Sequence, residues 1–440
     1  MNLERKLRQL KQATKLRDRD QALERALEYL RRLTQPPAPR KLPAQRAPKG
    51  IEEYVDGQIV KNDWGEFFLA HEAFPFGRPY GKLRIGDIST ADLRPLNMFL
   101  PEAALLEPSR LVFLDTETTG LAGGTGTCAF LVGIGTTEGV KFAVRQFFLR
   151  DYPEEKALLQ ALAEALEPYD GLVTFNGKTF DVPLLETRYT LARLQSPFER
   201  LLHLDALHPA RRLWKLRLES CKLTDLESAV LGISREGDVP GADIPGIYFD
   251  YLRTGDACGL QPIFYHNALD VVTLAALTVQ LARAIGDAGA QTLDSPLDLF
   301  SLSRIFSSAG SRDQSVSICQ RALATGLPQP VESQALRHLA YEFKRQRQHE
   351  FAVEAWVELT RRESPLSLDA FEELAIHYEH RQRDLKMARE FTLAALERLR
   401  EESSPRPHPA VAGRFTRRLE RLQRKLARAT NPPHLPLVEH

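Results

Sequence analysis

The chain has 440 residues, of which 43% are hydrophobic, with 59 basic against 58 acidic side chains and a net charge of +1; this is the composition of an ordinary soluble protein long enough for two or three cores. No run of about 18 uncharged apolar residues marks a membrane span, and the N-terminal MNLERKLRQLKQATKLRDRD lacks the apolar centre of a signal peptide, so a cytoplasmic address without membrane contact is expected. Cys128, Cys221, Cys258 and Cys319 lie far apart with no C-x-x-C pair, which argues against a zinc ribbon or a disulfide framework and predicts four reduced, buried side chains.

In chain order, residues 1–33 place apolar side chains at Leu3, Leu7, Leu10, Leu16, Leu23, Leu27 and Leu30, the rhythm of a helix, and are strongly basic. The proline-rich TQPPAPRKLPAQRAPKG cannot continue it and predicts a linker over 34–50. Residues 51–108, with GQIVKNDWGEFFLAHEAFP, read as a lead-in of short strands and turns. Over 109–288 the order is more telling. RLVFLDTE, CAFLVGIGTT and KFAVRQFFL predict three successive strands of an antiparallel meander, with GGTG as the hairpin turn after the first. EEKALLQALAEALEPY predicts an amphipathic helix, GLVTFNG a fourth strand and FDVPLLETRYTLAR a second helix. A crossover helix between strands implies a parallel pair, hence a mixed sheet flanked by helices.

Beyond 297 the strand signals end. Leu302, Leu339 and Leu374, then Ser303, Ala340 and Ala375, then Phe306, Phe343 and Tyr378 fall in matching slots, and Ser315, Ala352 and Ala388 take a small-residue position in the following helix. This pattern resembles tetratricopeptide repeats over 297–400 and predicts an all-α region, separable from the preceding domain; an unrelated helical bundle is the alternative. Residues 401–440, with RFTRRLERLQRKLAR, form a second basic segment. The two basic ends could steer a polyanion or simply be solvated helices.

Asp115 and Glu117 are two apart at the end of the first strand and so share a face, where their charges repel. Asp181 opens the helix after GLVTFNGKTF, and Asp270 stands inside a helix one turn beyond His266. Four carboxylates able to converge suit magnesium or manganese, and a pair of such ions can drive phosphodiester hydrolysis. GGTG is not followed by G-K-[ST], so no nucleotide phosphate loop is predicted. Trp214, in a basic stretch, reads either as a stacking platform or as core.

DTETTG, the N-x-x-x-F-D of NGKTFD and the helix aspartate of YHNALD, in that order, resemble the three motifs of the DEDD superfamily of 3′-to-5′ exonucleases. GGTGTCAFLVGIG, LHPARRLWKLRLESCKLTDLE and GDVPGADIPGIYFDYL bring the likeness closer to the YprB-like ribonuclease-H-like domain. The resemblance implies an α/β ribonuclease-H-like fold followed by helical repeats, and Asp115, Glu117, Asp181 and Asp270 as ligands of two magnesium or manganese ions. It implies a 3′-to-5′ exonuclease acting on single-stranded RNA or DNA ends. The superfamily's base is a histidine five, or a tyrosine four, residues before the last aspartate; here Tyr265 and His266 hold those slots in reverse. Helical spacing favours His266 as the base, because four residues bring it onto the face of Asp270; Tyr265, or no side chain, is the alternative. A non-catalytic nucleic-acid-binding or scaffold protein, with a protein partner on the repeats, and a structure-specific endonuclease are the competing expectations.

Overall fold

A computed structural model of the chain describes residues 49–101, 105–120, 126–286, 293–401 and 409–430. The basic N-terminal helix, most of the proline-rich linker and the GGTG turn up to its last glycine lie outside the described residues. Gly50–His440 form one compact unit.

The strands are β1 (Gly57–Asn62), β2 (Gly65–Pro75), β3 (Pro79–Tyr80), β4 (Leu83–Arg84), β5 (Leu111–Thr118), β6 (Ala129–Glu138), β7 (Lys141–Phe148), β8 (Gly171–Thr174) and β9 (Leu202–Asp205). Seven of them make one sheet in the order β1-β2-β7-β6-β5-β8-β9, while β3 and β4 pair separately. The expected meander is β5-β6-β7, and β8 lies parallel to β5. Two features go beyond the sequence reading. The residues set apart as a lead-in supply β1 and β2, which extend this sheet through β7, so the domain starts well before residue 109; Phe67 and Phe68 of β2 are fully buried in its core. β9, unpredicted, pairs parallel to β8 and closes the other edge; its four residues, LHLD, are too few to show a period.

The helices are α1 (Asp87–Thr90), α2 (Glu155–Leu166), α3 (Asp181–Ala192), α4 (Leu207–Trp214), α5 (Leu223–Leu226), α6 (Ile244–Thr254), α7 (Gln261–Ile285), α8 (Pro296–Ser308), α9 (Arg312–Thr325), α10 (Gln329–Arg345), α11 (His349–Thr360), α12 (Ser367–His380), α13 (Leu385–Glu401) and α14 (Pro409–Thr430). Side chains alternate across β5: Val112 and Leu114 enter a core with α2, α3 and α6, whereas Leu111 and Phe113 enter one with α4 and α7. By composition Ala257–Ile285 could pass for a membrane span, but 72% of its apolar window is buried, as befits the central helix of a core. α7 lies close on the sheet because β6 carries Gly133 and Gly135: a methyl group at Gly133 would overlap the Asn267 carboxamide, and one at Gly135 would overlap Val271 and Phe142.

The described part of the C-terminal region is all helical and built of paired neighbours, α8 with α9, α10 with α11 and α12 with α13, followed by α14. Leu302, Leu339 and Leu374 and their small partners Ser303, Ala340 and Ala375 are buried, as are Ser315, Ala352 and Ala388. The region is not separable in packing: Ala210, Leu213 and Trp214 of α4 and Leu299, Phe300 and Leu302 of α8 belong to one core, and Arg217 pairs with Asp298 at 2.8 Å beside it. Trp214, only 2% exposed, is core and not a stacking platform. On α14, Arg418, Arg421 and Lys425 all pair with Glu379 of α12, so these basic charges are used within the molecule. Cys128, Cys221 and Cys319 are buried and free; Cys258, against expectation, is exposed, since it sits in a short turn between α6 and α7.

Candidate metal centre

The parity of β5 decides where its end residues go. Asp115 and Glu117 continue the Leu111 and Phe113 side and face α7; Thr116 faces α3 and donates a hydrogen bond from its hydroxyl to Asp181 Oδ1. The register of β5 on β6 shifts between Glu117 and Thr118, an irregularity of the kind that re-aims side chains at the end of a ladder. Asp181 is the first residue of α3, and the turn before it is pinned from β9. Asp205, 2% exposed, accepts backbone N–H bonds from Asn176 at 2.8 Å, Lys178 at 3.1 Å and Leu207 at 3.1 Å. Asn176 itself adopts φ 69°, a left-handed conformation that asparagine tolerates better than most residues.

α7 brings the remaining groups. The fully buried Asn267 donates from Nδ2 to Asp115 Oδ2 at 2.9 Å, and its Oδ1 accepts from Gln146 Nε2 at 3.0 Å. His266 Nε2 lies 3.4 Å from Asp270 Oδ2 and 3.9 Å from Glu117 Oε1. Its other ring nitrogen, Nδ1, is 2.8 Å from Asp238 Oδ1. Tyr265, one residue earlier, is 46% exposed and turned out of this cluster.

Behind the cluster stands Arg235, with 6% of its side chain exposed. It donates to both oxygens of the buried Glu227 at 2.7 Å, to Asp238 Oδ2 at 3.0 Å and to Asp270 Oδ1. Thr273 donates to Glu227 in turn, and the Tyr80 hydroxyl meets Thr273 at 2.7 Å. Burial works against the charge of Arg235, but the hydrogen bonds to Glu227 and the nearby Asp270 outweigh it and hold its pKa above the ordinary arginine value.

One guanidinium does not neutralise the group. Burial, then Asp270, Glu117 and Asp181, raise the Asp115 carboxyl well above the usual carboxylate range. Glu117 is pushed up to about 8, by burial first and then by Asp270, Asp181 and Asp238. Asp181 is pushed up to about 6, again chiefly by burial, with the Thr116 hydroxyl acting in the opposite sense. A cation is the direct remedy for such crowding. One donor atom each from Glu117, His266 and Asp270 lie within 4.8 Å of one another, and Asp181 is close enough to add to the repulsion on both Glu117 and Asp115. Oxygen donors with one imidazole fit manganese well and magnesium acceptably.

All five residues singled out in the sequence thus meet around the end of β5. Sequence reasoning missed Arg235, Glu227, Asp238, Asn267, Thr116 and Asp205. Asp238 stands in GDVPGADIPG, a stretch legible as distinctive but without a role, and Asn267 stands beside His266 in YHNALD.

Residues 112–282 match the family model of the RNase H superfamily. YprB of Bacillus subtilis (strain 168), an uncharacterized protein, is 32% identical over 283 residues, covering 64% of this chain and 67% of that one. Among solved structures, the family B DNA polymerase of the hyperthermophilic archaeon Pyrobaculum calidifontis aligns with a TM-score of 0.31 and 13% identity, over 62% of this chain and 34% of that chain.

Proposed function

We propose that this chain, which belongs to the YprB family within the RNase H superfamily, is a metal-dependent nuclease of the cytoplasm that hydrolyses phosphodiester bonds from the 3′ end of a single strand. The observation that carries this reading is the crowding of Asp115, Glu117, Asp181 and Asp270, three of them with raised pKa values, beside His266 at the end of the sheet. A binding protein has no use for buried charges that repel phosphate. Bound magnesium or manganese would supply the activation of water and the stabilisation of the leaving oxygen.

The chain's own part is positioning and proton transfer. Asp115, Glu117, Asp181 and Asp270 are the ligands we assign. Asp115 is fixed by Asn267 and Asp181 by Thr116, so both carboxylates are oriented before any ion arrives. If Asp238 accepts the proton on Nδ1 of His266, the lone pair on Nε2 is left facing Glu117 and Asp270. That tautomer suits His266 to accept a proton from an attacking water. The competing reading, a binder without chemistry, draws support from Arg235, which already neutralises part of Asp270.

The test is a labelled single strand incubated with the protein in magnesium or manganese. Cleavage that stops in chelator and in Asp115→Asn or Asp181→Asn variants, with the fold intact by circular dichroism, is the expected result. Equal cleavage in chelator, or none in either metal, overturns the reading, and the sizes of successive products tell exonuclease from endonuclease.

A further inference from the structure

The helical region carries a second charged feature, of opposite sign. α8 and α10 each bury one face, Leu302, Ile305 and Phe306 on the first and Leu336, Leu339, Ala340 and Phe343 on the second. Their opposite faces line a cleft of about 560 Å³ walled by Arg304, Ser307, Ser308, Arg312, His338 and Arg345. A neighbouring groove of about 780 Å³ shares Arg304, His338 and Arg345 and adds Arg337 and Tyr341 further along α10. Residues 334, 337, 338, 341 and 345 of α10 recur at the helical period, so one face of this helix runs along the whole length.

The charges here are poorly answered. Arg304 and Arg312 are exposed and have no carboxylate partner among the described residues. Arg345 pairs with Glu342, which is buried beneath the cleft and also accepts from Ser307; Arg337 pairs with Asp369 at the rim. Arg212, from α4 of the sheet domain, reaches over to donate to Ser308. Burial and the proximity of Arg304 press its pKa below the ordinary arginine value, an electrostatic sign that like charges are held together. Such a gathering of guanidinium groups around one cleft has the chemistry of a phosphate site.

We propose that this cleft binds the phosphodiester backbone of a nucleic-acid strand, away from the carboxylate cluster, with Arg304 and Arg312 as its main free cations. The choice of nucleic acid over an acidic polypeptide rests on the nuclease reading above, and on Arg212, which ties the wall of the cleft to the domain that carries the carboxylates. The ligand would be gripped at the cleft through charge contacts that carry no base information, so affinity there should depend on strand length and salt more than on sequence.

Binding of fluorescent 8-mer and 30-mer single strands, measured in chelator over a series of salt concentrations, tests this without any need for hydrolysis. Arg304→Glu with Arg312→Glu should weaken binding of the 30-mer at least about tenfold and reduce the slope of log affinity against log salt by about 1.4, at about 0.7 per lost phosphate contact. Neither change strands a partner carboxylate. A charge-matched control, Arg253→Glu with Arg361→Glu, alters two side chains that are 67% exposed and outside the cleft, and should have a clearly smaller effect. Equal losses in the two double variants, or an unchanged slope in the first, overturn the proposal. Polyglutamate of matched charge that displaces the 30-mer at lower concentration than unlabelled strand also overturns it, assigning the cleft to an acidic polypeptide. Loss of cleavage alone, with this binding pattern preserved, would refute the nuclease reading and leave the cleft standing.

Discussion

Two clusters of like charge occupy this molecule, and they are built in opposite ways. At the end of β5 the carboxylates are largely withdrawn from water, and their pKa values rise chiefly through burial, which Arg235, Asn267 and Thr116 offset only in part. In the cleft of the helical region the cations stand in solvent, where water screens their repulsion at little cost. The first arrangement demands a cation to be stable; the second can wait indefinitely for an anion. Burial, more than the number of charges, decides which cluster is under electrostatic stress.

The comparison can be broken most forcefully at Arg235. Arg235→Met leaves Glu227, 2% exposed, without its main partner, and should cost about 3–5 kcal/mol, as does removal of one member of a buried pair. Adding Glu227→Gln should return part of that loss in a denaturant titration, because the stranded charge goes with it. If Arg235→Met alone is silent, the cluster is less buried in its consequences than its geometry implies.

A smaller effect is expected at the base. His266→Ala should slow cleavage about 100-fold while leaving strand binding nearly unchanged. Tyr265→Phe should stay near the wild-type rate, because the ring is half exposed. A dead Tyr265→Phe beside an active His266→Ala would reverse the assignment.

The mildest test is the pH dependence of stability in chelator. Glu117 rises from 4.5 to about 8 and Asp181 from 3.8 to about 6 on folding. A raised pKa means the folded state holds its proton more tightly than the unfolded one. The associated stability is therefore full below the ordinary value and lost as pH rises through the folded value. Melting temperature in chelator should fall between pH 5 and pH 8. Glu117→Gln should flatten the fall, and manganese at pH 8 should reverse it. A flat profile in the wild type would show that the carboxylates are already compensated.

Much of this was legible before any coordinates. The apolar run into DTE, the apolar runs of β6 and β7 and the amphipathic α2 mark their elements in the sequence, and the three acidic motifs lie at positions that a mixed sheet brings together. What escaped was long-range and aperiodic. Arg235 finds Glu227 and Asp270 across 8 and 35 residues from a loop with no repeating signal. The β1–β2 hairpin pairs with β7 across more than 60 residues, so it read as an appendage. Trp214 beside arginines left two readings open, core or stacking platform, because α8, with which it shares a core, lies some 80 residues later. The positive cleft was invisible for a simpler reason: its arginines belong to different helices, and each taken singly is an ordinary solvated charge.

The two glycines of β6 have a consequence beyond packing. Because no side chain stands at 133 or 135, α7 can settle against the strand until Asn267 touches the backbone opposite Asp115. The depth at which His266 and Asp270 sit is thereby gauged by atoms that are missing, much as a machinist's stop is set by the bare face of a block. Tolerance at the centre is inherited in part from that stop, since the carboxylates repel one another. Two residues that carry no chemistry at all thus have almost no latitude, since a methyl group at either would meet Asn267, or Val271 and Phe142.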